Sequence, residues 1–222
     1  MTAKTRRLPK RRIGAPARRA QILRVAGDMF ANDGIDATSM RRVAAQAGVT
    51  ATLLYKHFAD KDALLMAIGE GFFAKLGIYM SEAVKGERDP VRRLKARMRA
   101  YVTCGIENPR EYHLTFMTAL PGLRRGKEMK AFRERARRGE TIAEAELTLG
   151  MKCFAQLEQA VRDVVDAKLT RSKDVAALSE AVWAAGHGLV SLLITHGDFG
   201  FTEPKRLIET SIDLMLQGLL KR

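Results

Sequence analysis

The sequence predicts an all-α fold. Three observations carry that prediction. Apolar residues recur at spacings of three and four, no stretch alternates convincingly as a strand, and capping or breaking residues separate the apolar runs.

Taken in order, residues 1–17 are polar and basic, with Pro9, Gly14 and Pro16, and read as a mobile arm. The first helix is expected at about 18–33, where Ile22, Val25, Ala26, Met29 and Phe30 share a face and Gly34 stops the chain. Two short helices follow at about 39–46 and 51–57. A longer one is expected at about 60–85, with Asp60 at its N-cap. Asp89-Pro90 opens a helix at about 90–107, and Asn108-Pro109 restarts the chain for about 109–118. A basic segment at about 124–138 precedes three long helices, expected at about 140–168, 173–196 and 203–220. Asp174 can open the second of these and Thr202 or Glu203 the third, with Pro204 in its first turn. The Gly-Asp-Phe-Gly stretch at 197–200 stands without any other kinase element and reads as a connection.

The 222 residues suffice for one large or two small domains with a sizeable core. There are 39 basic and 25 acidic residues, for a net charge of +14. Eight of the basic residues, and no acidic one, fall in residues 1–19. Such an excess favours a polyanionic partner, nucleic acid before an acidic membrane surface. Two cysteines, Cys104 and Cys153, make neither a disulfide framework nor a metal cage, and fit a reduced, cytoplasmic setting. The N-terminus lacks the apolar run of a signal peptide, and no apolar stretch is expected to reach membrane-spanning length.

The densest cluster of functional side chains is Tyr55-Lys56-His57-Phe58. No Cys, Asp or second His near His57 has ligand spacing, so a metal or catalytic site has little support. The surrounding stretch, SMRRVAAQAGVTATLLYKHF, spaces Ala44, Gly48 and Leu54 as a helix-turn-helix requires. A small residue at 44 lets two helices cross closely, and Gly48 can take the left-handed turn between them. Leu54, with Val43, Val49 and Phe58, holds the second helix on the first. Thr38 or Ser39 can cap the first, and Thr50 the second. A helix starting there points free N–H groups and a positive dipole end outwards, toward phosphates.

TSMRRVAAQAGVTATLLYKHFADKDALL, preceded by RRAQILRVAGDMFANDG, resembles the DNA-binding domain of the TetR family of bacterial transcriptional regulators, without a gap over about 18–65. PREYHLTF at 109–116 and WAAGHGLVSL at 183–192 resemble a C-terminal subfamily named for its Trp-His-Gly element. The resemblance implies an all-α homodimer: a basic arm at 1–17, a three-helix helix-turn-helix DNA-binding domain at 18–64, and a helical effector-binding and dimerisation domain at 65–222. It also implies no enzymatic activity, no metal and no cofactor.

Carried over by position, Thr38 and Ser39 meet phosphate, and Arg41 or Arg42 reaches the backbone. Thr50, Ala51, Thr52, Leu53 and Lys56 face base edges, and Tyr55, His57 and Lys61 touch phosphates. Leu53 departs from the Thr or Ser often found there; it can meet a thymine methyl but gives no hydrogen bond. For the arm, groove binding and simple solubilisation both stand.

The implied partners are a palindromic double-stranded operator, a small-molecule effector and a second copy of the chain, joined through helices 173–196 and 203–220. Leu207, Ile208, Ser211, Leu214, Met215, Gly218 and Leu219 would supply the interface on the last helix. The expected mode is a repressor released by the effector, with the helix at 60–85 as lever. An activator or an effector-independent architectural protein are the alternatives. Tyr101, Cys104, Phe116, Met117, Met151, Phe154 and Trp183 are the candidate effector-pocket residues. Each can equally be core, and Trp183 and His187, four apart on one face, can equally be core or dimer packing.

Overall fold

The computed structural model describes residues 14–118, 130–135, 138, 140 and 142–221. The arm at 1–13 and most of the basic segment at 124–138 lie outside these. The chain divides into two compact units between Leu64 and Leu65.

The N-terminal unit holds α1 (Ala15–Asp33), α2 (Met40–Gln46), α3 (Ala51–His57) and the start of α4 (Lys61–Glu82). Helix α1 begins at Ala15, earlier than the expected 18, because Pro16 sits in its first turn, where the missing N–H costs nothing. Ser39 caps α2, its hydroxyl accepting from the Arg42 N–H, and Thr50 caps α3 by accepting from Leu53. Gly48 has φ +64, the left-handed value that turns α2 into α3. Ile22, Val43, Ala44, Leu54 and Phe58 form the shared core, all at most 3% exposed. Two polar ties reinforce it. The Gln21 amide donates to the Ala47 carbonyl at 3.0 Å, and the Arg19 guanidinium lies 4.9 Å from the Phe58 ring centre.

The C-terminal unit holds the rest of α4, then α5 (Pro90–Glu107), α6 (Pro109–Tyr112), α7 (Leu149–Asp166), α8 (Val175–Thr195) and α9 (Pro204–Leu219). Asp89, Asp174 and Glu203 cap α5, α8 and α9. Helix α6 runs into a π turn at His113–Met117, so the expected regular helix at 109–118 is widened over its second half. Helix α7 starts at Leu149, not 140. Arg135 and Arg138 both bind the Glu140 carboxylate, Glu144–Glu146 makes a single 3-10 turn, and Thr148 then caps the true helix.

Helix α5 is the hub of this unit, packing against α7, α8 and α9. Among the described residues no strand forms; Thr170 and Leu220 make one isolated bridge. Two helices, α4 and α8, are long and apolar enough to cross a membrane, although none was expected of that length. The glycines, histidine and serine within α8 interrupt its apolar run without adding charge.

Gly105 sets the closeness of α5 and α8. A Cβ there would lie 2.6 Å from Val190 Cγ1 and 3.1 Å from the Tyr112 ring. Gly105→Ala is therefore expected to cost about 1–3 kcal/mol through overpacking, read as a lowered urea midpoint.

Candidate DNA-facing surface and ligand cavity

In the N-terminal unit, the expected contact residues fall into two groups. Ser39, Arg41, Thr50, Thr52, Tyr55 and Lys56 are exposed, with Ala51, Leu53, His57 and Lys61 half-buried. Tyr55 is 51% exposed, so its hydroxyl is open to a partner. From Ala37 to Ala59 the sequence has no carboxylate while carrying Arg41, Arg42 and Lys56, so this surface is cationic. Ser39, Arg41, Tyr55 and Lys61 also border one open concavity with Asp36, Asp60 and Asp62. The Asp60 carboxylate there is engaged as a cap, accepting from the Ala63 N–H at 2.7 Å.

The second group is held by the fold. Thr38 is 1% exposed and donates its hydroxyl to the Gly34 carbonyl at 2.8 Å, so it is not available to a phosphate. The expectation for Thr38 is corrected on that ground: it closes the α1–α2 turn, and Ser39 takes the surface position. Arg42 donates to the Ala37 carbonyl at 2.7 Å and to Asp33 at 2.8 Å, which fixes α2 to the end of α1. Lys61 donates to the Ile35 carbonyl at 2.9 Å.

In the C-terminal unit, a cavity of about 290 Å³ opens among aromatic rings. Of the expected pocket residues, Tyr101, Phe116, Phe154 and Trp183 line it. Cys104, Met117 and Met151 do not; Cys104 is fully buried in the core. Phe73, Leu76, Met80, Cys153 and Arg133 line it too and were not singled out in the sequence. Phe73, Leu76 and Met80 follow one another by three and four residues on α4, a signal the sequence does contain. Phe116 is central, with ring centres of Phe73 at 5.6 Å and Trp183 at 6.3 Å. Arg133 lies 5.4 Å from the Phe154 ring centre and pairs with Glu180.

A polar chain runs along the wall of this cavity. The Trp183 indole N–H donates to the Tyr101 hydroxyl at 3.2 Å, the Tyr101 and Tyr112 hydroxyls are 2.9 Å apart, and the Tyr112 hydroxyl is 2.7 Å from His187 Nδ1. The direction that satisfies every group has Tyr101 donating to Tyr112 and Tyr112 to a neutral imidazole. Burial lowers the His187 pKa, which favours that neutral form, and raises the Tyr101 hydroxyl to about 12. His187 is thus part of the wall's support. The thiols of Cys104 and Cys153 are pushed up by burial to about 12 and about 11, the opposite of a reactive pair.

Comparison with known proteins adds the following. A family model described as bacterial regulatory proteins, tetR family, matches residues 22–68, and one described as tetracyclin repressor-like, C-terminal domain, matches 94–219. The transcriptional repressor KstR2 of Mycobacterium tuberculosis is 34% identical over 79 residues, 36% of this chain and 40% of that protein. The transcriptional activator FasR of Mycolicibacterium smegmatis is 30% identical over 105 residues, 47% of this chain and 48% of that protein. Each match therefore spans less than half of the relative's own length. Two solved structures share the fold across nearly the whole chain. A bacterial regulatory protein in the tetR family from Rhodococcus RHA1 has TM-score 0.69 at 17% identity, covering 92% of this chain and 98% of that one. The ketosteroid transcriptional regulator KstR2 of Mycobacterium tuberculosis has TM-score 0.65 at 18% identity, covering 94% and 98%.

The polar wall can be tested directly. Tyr112→Phe removes the hydroxyl that joins Tyr101 to His187 and leaves both without that partner. The expected loss is about 1–3 kcal/mol of unfolding free energy, measured by urea denaturation.

Proposed function

Because this chain belongs to the TetR family of bacterial regulatory proteins, we propose that it is a DNA-binding transcriptional regulator that grips its operator through α3. The observation that carries this reading is the exposed surface of α2 and α3, helices without a carboxylate of their own, with Tyr55 and Lys56 standing out from it. Lys56 and Thr52 face base edges with Thr50, Ala51 and Leu53 beside them. Tyr55 and His57 clamp phosphates, and Ser39 and Arg41 hold the backbone. Lys61 and Arg42 keep N–H groups beyond those that bind Ile35, Ala37 and Asp33, and these can reach a phosphate.

The regulator acts as a homodimer on a palindromic site. Helix α8 supports this: few of its residues are fully buried within the chain. Ala181, Ala184, Ala185 and Leu192 lie exposed on one side of it, and Leu214 of α9 is 63% exposed. Leu207, Ser211, Leu214 and Gly218 share a face of α9 and suit the interface. Ile208 and Leu219, expected there as well, are buried in the chain's own core. A second copy covering these faces completes a four-helix bundle.

The aromatic cavity favours an effector-controlled regulator over an architectural DNA binder, since a protein that senses nothing has no need of a void that size. The effector shifts the equilibrium only by its difference in affinity for the DNA-competent and incompetent forms. Repression is the reading we favour, supported by the match to the repressor KstR2. Activation is the second, supported by the match to the activator FasR.

Two outcomes are expected. On a duplex obtained by selection from a random pool, Tyr55→Phe combined with His57→Ala should weaken binding at least about tenfold in a mobility-shift titration, with the thermal midpoint unchanged. Unchanged affinity would remove the phosphate-clamp assignment. In sedimentation at micromolar concentration the native chain should run as a dimer and Leu214→Arg as a monomer, because a charge placed in an apolar interface has no partner there.

A further inference from the structure

Helix α5 carries a row of cations, and all but one of its inward-turning ones meet a carboxylate. Arg93 pairs with Asp163 at 3.2 Å, Lys95 with Asp213, and Arg99 with Glu209. Arg97 does not. Its Nη1 donates to the neutral Gln156 amide oxygen at 2.8 Å, and its Nε is buried with no hydrogen-bond partner among the described residues. Asp163, the nearby carboxylate, already accepts from Arg93 and Gln159. Burial, followed by the neighbouring charge of Arg93, lowers the Arg97 pKa, and the charge of Asp163 partly opposes them.

Arg97 lines a smaller, mostly apolar cavity of about 50 Å³, with Met98, Val182, Ser211 and Met215 among its walls. Met80, Tyr101, Leu157 and Trp183 line both this cavity and the large aromatic one, so the two adjoin along these side chains. We propose that the effector is an apolar monocarboxylate, its acid group held by Arg97 in the smaller cavity and its hydrocarbon body lying in the larger.

The proposal rests on reading the aromatic cavity as the effector site, and it adds the chemistry of the occupant. A buried N–H donor without an acceptor is costly, and a carboxylate both satisfies it and neutralises the charge. The small cavity admits little more than such a group, since one water occupies roughly 30 Å³ of liquid. At interior packing density of about 0.75, the large cavity holds roughly a dozen heavy atoms. Its aromatic lining rewards hydrocarbon and offers few partners to further polar groups. Arg133 is the competing cation, but Glu180 already matches its charge and the Phe154 ring covers its face.

Trp183 is the single tryptophan of the chain and lines both cavities, so its emission reports occupancy without any DNA present. The full chain is titrated with decanoate, 1-decanol and decylamine at constant pH. Decanoate should bind at least about tenfold more tightly than decanol, and decylamine more weakly than either, as a charge-assisted hydrogen bond requires. Arg97→Gln should bring decanoate to within about twofold of decanol while decanol binding persists, which shows the cavity intact; Arg133→Gln should keep the acid preference. Equal binding of decanoate and decanol to the native chain would overturn the role of Arg97 and leave the cavity reading standing. So would loss of the preference in Arg133→Gln with its retention in Arg97→Gln. Failure of all three probes to saturate would overturn the cavity reading and this proposal together.

Discussion

The C-terminal unit depends on how α5 is neutralised and packed. It is a basic helix placed where three other helices must close on it. Its apolar face, with Leu94, Met98, Val102 and Cys104 buried, draws α7, α8 and α9 inward. Its cations are carried into the same contacts and must be answered there. Asp163 on α7 answers Arg93, while Asp213 and Glu209 on α9 answer Lys95 and Arg99. These pairs are partly exposed, each worth only about 0–1 kcal/mol, so they select which helix lies where more than they stabilise. Stability comes from the apolar contact, and Gly105 permits it by letting Val190 and Tyr112 lie against the backbone of α5.

That close approach also positions the aromatic wall. Tyr112 touches α5 at Gly105, meets Tyr101 of α5 through its hydroxyl and reaches His187 of α8 with the same group. The π turn after α6 then carries Phe116, whose ring lies edge-on to Phe72 and Phe73. A cavity survives because these rings are held by one another and by hydrogen bonds at their rims, so they do not collapse inward.

The helix-turn-helix was legible in the sequence because its determinants are local. Gly48 supplies a backbone angle, Ser39 and Thr50 supply caps, and Ala44 and Leu54 supply one contact, all within sixteen residues. Thr38 was misplaced because a hydroxyl next to a cap looks the same whether it turns outward or back to Gly34. The cavity was half legible. Tyr101, Phe116, Phe154 and Trp183 stand out by type, but Phe73 and Cys153 lie on helix faces whose spacing is identical for core and for void. Cys104 and Cys153 are both buried in the core, and only packing brings Cys153 to the cavity edge as well. Helix starts moved where local chemistry outweighed periodicity: a first-turn proline at Pro16, and polar partners across Glu140 and Thr148.

One distinction applies to both units: whether a polar group is satisfied within the chain. Thr38 and Arg42 are tied to carbonyls and a carboxylate inside the N-terminal unit, and they read as framework. Tyr55 and Lys56 stand in solvent beside them. In the C-terminal unit Arg93, Lys95, Arg99 and Arg133 are matched by carboxylates, and Arg97 keeps a buried donor open at a cavity wall. Folding alone would favour replacing such a group with an apolar one of similar size, because an unpaired buried donor lowers stability without specifying any contact. Its presence next to a void of ligand size is explained when the missing acceptor comes from outside the chain. On the proposed reading, the exposed face of α3 and the guanidinium of Arg97 are the same kind of feature, polar groups that take their partners from DNA and effector.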